Sequence, residues 1–66
     1  MNELSPRECL VLQLMWEGMQ HREISLALDI SIKMVEQVRW SLGRKLHAKT
    51  GIQVIRRALE KGLIQV

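Results

Sequence analysis

Sixty-six residues with a net charge of +3, 47% of them hydrophobic, describe one small domain spanning the chain. The lone Cys9 cannot close an internal disulfide, no apolar run is long enough to span a bilayer, and the N-terminus lacks the pattern of a secretion signal. The composition therefore excludes a disulfide scaffold and points to a cytoplasmic protein. With neither Tyr nor Phe, its small core must be built from Leu, Ile, Val and Met.

The punctuation of the chain predicts an all-α, four-helix bundle-like domain. Ser5 caps a first helix, Pro6 takes its first position and Glu8 completes a capping box; the helix runs over about 6–17 and stops at Gly18. Its inward arc is Val11, Leu12 and Met15, with Leu10 and Leu14 pointing elsewhere and Trp16 on a flank. A second helix over about 21–28 starts from Gln20, a weak cap, with Glu23 favourably placed near its N-terminus. Asp29 then sits in a tight turn and tolerates a left-handed backbone better than most residues. Ser31 caps a third helix over about 32–46. Thr50 and Gln53 make a second capping box for a fourth helix over about 51–61, which Gly62 ends. A three-residue connection between the second and third helices is what a helix-turn-helix requires. No stretch alternates at period two, so strands are not expected.

Charge is unevenly divided. Residues 1–30 hold two basic and five acidic side chains, a net −3, whereas residues 31–57 hold seven basic side chains and only Glu36, a net +6. A basic half on an otherwise acidic chain is the footprint of a polyanion partner, although surface charge alone is also compatible with a merely solvated face. On the third helix, Val35, Val38, Leu42 and Leu46 fall within an arc of about 80° and form its core face. Lys33, Gln37, Trp40 and Arg44 share an arc of about 60° nearly opposite. Such a face suits the major groove: Lys33 and Arg44 can meet phosphate or guanine, and Gln37 can meet adenine. Trp40 lies about 140° from Val35, so it should be exposed.

Read in order, Leu4-Ser5-Pro6-Arg7-Glu8, Glu17-Gly18, Glu23-Ile24, Ile30-Ser31, Lys33, Val35, Arg44-Lys45-Leu46 and Ala58-Leu59-Glu60-Lys61-Gly62-Leu63-Ile64 resemble the LuxR family, also called the GerE or NarL/FixJ type. The resemblance covers nearly the whole chain without gaps. It implies a bacterial, DNA-binding transcriptional regulator, or its DNA-binding domain, whose third helix enters the major groove of double-stranded DNA. The family's groove-facing positions match Glu36, Gln37 and Trp40. Its phosphate-contacting positions match Arg22, Lys33, Met34 and Lys49; Arg44 and Lys45 add basic side chains to the same site. The fourth helix, which carries apolar residues on more than one side, is expected to make a weak homodimer through Val54, Arg57, Ala58 and Lys61. Met34 and Glu36 depart from the Thr and Lys common at those positions, Val38 replaces a common His, and Trp40 and Gly43 are also unusual.

Two other readings stand beside this one. The helix-turn-helix of sigma-factor region four shares the shape of the 17–46 segment, although the tail over 50–64 fits the LuxR type better. A protein-interaction module on the same fold would use Leu10, Trp16 or Trp40 to bind and modulate another regulator. No enzyme is expected. His21, His47 and Cys9 lack metal-ligand spacing, no cofactor motif is present, and Glu3 and Glu8 belong to a cap region rather than to an acid–base pair.

Overall fold

A computed structural model describes residues 4–64, in which the chain forms α1 (Pro6–Trp16), α2 (His21–Leu28), α3 (Ile32–Leu46) and α4 (Gly51–Glu60). The helices begin where short polar side chains can satisfy the unpaired N–H groups of a first turn. The Glu8 N–H donates to Ser5 Oγ at 3.1 Å, and the Ser5 N–H returns a bond to Glu8 Oε1 at 2.8 Å. At α2 the Gln20 N–H donates to Glu23 Oε1 at 2.9 Å. At α3 the Met34 N–H donates to Ser31 Oγ at 3.0 Å. The start of α4 departs from the expected reciprocal pair. The Gln53 N–H donates to Thr50 Oγ1 at 3.1 Å, but the Gln53 side chain accepts from the Lys49 N–H at 2.7 Å, one residue before the cap.

All four helices end in the same way. Gly18, Asp29, His47 and Gly62 have φ of 92°, 54°, 55° and 69°, the left-handed turn that releases the chain from a helix. The next residue then donates its N–H to a carbonyl five positions back: Met19 to Leu14, Ile30 to Ser25, Ala48 to Gly43 and Leu63 to Ala58, at 2.8–3.1 Å. Met19, Ile30, Ala48 and Leu63 are all partly buried against the core. Each exit therefore closes with an apolar contact as well as a hydrogen bond.

Every other helix packs on α3, and α1 also touches α2 and α4. The core is Val11, Leu12, Ile24, Val35, Val38, Leu42, Leu46, Val54, Ala58 and Ile64. The predicted inward arc of α3 is thus the buried one. Leu14 was expected to point away, yet it packs against the core, because α1 lies between neighbours on more than one side. Val54 and Ala58, expected at a dimer contact, are 2% and 0% exposed. They form the face that α4 turns to its own domain, so their side chains are not available to a partner.

Candidate nucleic-acid interface

The α2–turn–α3 unit sets the site. Asp29 closes α2 in a left-handed conformation, and both its N–H and that of Ile30 donate to the Ser25 carbonyl. Ser31 then restarts the helix immediately. Packing of Val35, Val38, Leu42 and Leu46 holds α3 by one side and leaves the other free. Lys33, Gln37, Trp40 and Arg44 are all exposed, as are Glu36 and, on the first turn of α2, Arg22. Trp40 is 65% exposed, and the Arg44 guanidinium lies 5.1 Å from the centre of its ring.

Alongside this face runs a surface cleft of about 970 Å³. Its charged lining comprises Arg39, Arg44 and Lys49 with only Glu36 against them, and His21 and His47 also border it. Arg39 escaped the sequence-derived site because it lies on the flank of α3. Its guanidinium reaches over the first turn of α4, where Gly51 leaves room: a Cβ at Gly51 would lie 2.9 Å from Arg39 Nη2. Lys49 is exposed one residue before the cap of α4.

Two expected contacts lie elsewhere. The Met34 side chain packs against the core, and its N–H is already bonded to Ser31, so it offers a phosphate nothing. Lys45 turns away to α1, where its Nζ donates to Glu8 Oε1 at 2.8 Å. Ser41 Oγ donates to Glu8 Oε2 at 2.6 Å. Burial by itself would raise the pKa of Glu8. The bonds from Lys45, Ser41 and the Ser5 N–H, with the charge of Lys45, outweigh it and bring the carboxyl from 4.5 down to about 2. One carboxylate thus caps α1 and clamps the side of α3. Glu3 lies outside the described residues. Of the remaining exposed apolar side chains, Leu10 is 54% and Trp16 36% exposed on α1. On α4, Ile52 and Leu59 are exposed on one side, and Arg57 and, just past the helix end, Lys61 are exposed elsewhere around it. Among the described residues no helix is long and apolar enough to cross a membrane.

A short helix, a three-residue turn through a left-handed residue, and a longer capped helix with a basic outer face define a helix-turn-helix domain of the DNA-binding type. The description of bacterial regulatory proteins of the luxR family matches residues 2–58. The chain is 37% identical over 65 residues to the uncharacterized response regulatory protein YgeK of Escherichia coli (strain K12), covering 98% of this chain and 44% of that protein. Its fold matches that of the Vibrio cholerae VqmA dimer in the absence of target DNA, a LuxR-type receptor, with a TM-score of 0.91 and 33% identity over 98% of this chain and 30% of that one. It also matches VqmA bound to DPO, with a TM-score of 0.87 and 35% identity over 94% and 31% of the two chains. The chain therefore spans less than half the length of these relatives. It belongs to the luxR family of bacterial regulatory proteins, as a DNA-binding domain of transcriptional regulation.

Proposed function

We propose that this domain binds duplex DNA in the cytoplasm by laying the outer face of α3 in the major groove. The observation that carries the reading is the division of α3 into a fully packed face and an exposed one bearing Lys33, Gln37, Trp40 and Arg44. An α-helix fits the major groove, where outward side chains reach base edges. Gln37 reads a base, with Glu36 beside it able to accept from a cytosine amine. Lys33 at the start of α3, Arg22 on α2 and Lys49 just before α4 hold phosphates and set the register. Arg39 lies between α3 and α4 and adds to the same positive field. Lys45 and Met34 serve the site indirectly, by fixing how α3 sits on the domain.

Two copies pair weakly on DNA through α4, as two-fold readers of paired half-sites do. The VqmA relative is described as a dimer, which supports this. The outward side chains Ile52 and Leu59, which share one side of α4, form the contact, in place of the buried Val54 and Ala58; Arg57 and Lys61 lie on another side of the helix by the same spacing.

Salt titration of binding to random and selected duplexes tests the groove face. Lys33→Ala should weaken all sequences alike and lower the slope of log affinity against log salt by about one. Gln37→Ala should instead relax preference at one base pair, by about 1–3 kcal/mol. If both variants bind both kinds of duplex like the parent, the assignment of the groove face is wrong.

A further inference from the structure

We infer that Trp40 and Arg44 act as one reading unit for a thymine next to a guanine. The inference rests on α3 occupying the major groove and goes on to name the base step that this chain selects.

Three observations lead there. Trp40 is the largest side chain on the outward face of α3, and at 65% exposure it is left in water by the domain itself. Arg44 follows one helical turn later, with its guanidinium held 5.1 Å from the ring centre. Arg44 also makes no ion pair or side-chain hydrogen bond among the described residues, although Lys45 beside it is committed to Glu8.

The chemistry follows from what each group can do. A guanidinium against one ring still carries N–H donors that no group among the described residues takes up. Those donors fit the O6 and N7 acceptors of guanine, a two-point contact in the major groove. The indole is chiefly apolar, and the thymine methyl is the one apolar group that a base pair displays in that groove. Because ring and guanidinium lie against each other, the bases they meet are neighbours. The ring contact also removes freedom from a long side chain before binding, so less is lost when the guanine contact forms. The pair recognises a methyl beside two acceptors.

The test uses duplexes carrying single-atom-group changes. Selection from random duplexes with the 66-residue chain should return a site with adjacent thymine and guanine. In that site, replacing the thymine by deoxyuridine removes only the methyl group, and replacing the guanine by its 7-deaza analogue removes only the N7 acceptor. The parent should lose about threefold and about tenfold in affinity, respectively. Trp40→Ala should become indifferent to the loss of the methyl, and Arg44→Ala indifferent to the loss of N7. Trp40→Phe should keep part of the methyl sensitivity. Both positions are exposed, so helical content should be unchanged. A parent indifferent to both analogues, variants that keep its sensitivities, or a selected site without the step would overturn the inference while leaving DNA binding intact. Binding to no duplex at all would overturn the DNA-binding reading beneath it.

Discussion

Glu8 shows how one residue can serve two structures at once. Its carboxylate accepts from the cap of α1 and from Ser41 and Lys45 on α3, and its pKa falls from 4.5 to about 2. A carboxyl with a lowered pKa stabilises the fold above its ordinary value, and that contribution disappears as pH falls through the lowered one. Glu8 should therefore contribute roughly 2–3 kcal/mol at neutral pH, lost between about pH 4.5 and pH 2. Melting of Glu8→Gln against the parent should show a large deficit at pH 7 and little difference near pH 2; equal deficits at both would show that the charge is not what matters. The sequence revealed the local half of this role, because a cap lies within three residues. It concealed the bonds to Ser41 and Lys45, 33 and 37 positions away, so Lys45 read as one more cation for DNA. Gly43 carries the opposite lesson. Inside a helix Gly costs about 1 kcal/mol relative to Ala. Here, however, a Cβ would lie 2.9 Å from the Ala48 carbonyl oxygen, where the chain leaves α3. Gly43→Ala should consequently lower stability in urea unfolding, by about 1 kcal/mol or more after the propensity gain is offset. A more stable variant would show that the exit from α3 can shift freely.

At the scale of elements, the helix starts were legible and the ends were so only in part. Ser5, Ser31 and Thr50 act on N–H groups within their own first turns, so local sequence sufficed. Gly18 and Gly62 marked two exits through their freedom at positive φ, and Asp29 was a plausible third. His47 gave no such sign, since its left-handed turn is held by the Ala48–Gly43 bond and by the packing of Ala48 on the core. Asp29 holds the turn before α3 at φ 54°, at a cost that Gly would relieve. Asp29→Gly should raise stability by about 0.5–1 kcal/mol, the left-handed penalty of a residue with a Cβ and the misplaced charge at the C-terminus of α2 both being removed. Thermal melting checks the sign. A loss would mean that the Asp29 side chain holds the turn by a contact that outweighs its strain.

The whole molecule separates its jobs by direction: α3 is gripped on one side by the other three helices, and the face turned away from them bears the basic groups. Fold class and this face were readable because both follow from helical periodicity. The side of α4 facing the core was not, because apolar residues lie on more than one side of that helix and only packing chooses among them. What packing leaves out is Ile52, 75% exposed, and Leu59, 37% exposed. Leu59→Glu should therefore shift sedimentation on a paired site from two chains per duplex to one, with the affinity of a single half-site retained. One chain per duplex for the parent, even on its best selected site, would remove the dimer from the account. The central claim, that the outer face of α3 meets DNA, is tested most directly by backbone amide shifts of the isotope-labelled chain during titration with duplex DNA. The account predicts the largest changes along Lys33, Gln37, Trp40 and Arg44, with Arg22 and Lys49 beside them, all fading as salt rises. Changes gathered instead around Leu10 and Trp16 on α1, with α3 silent, would contradict it.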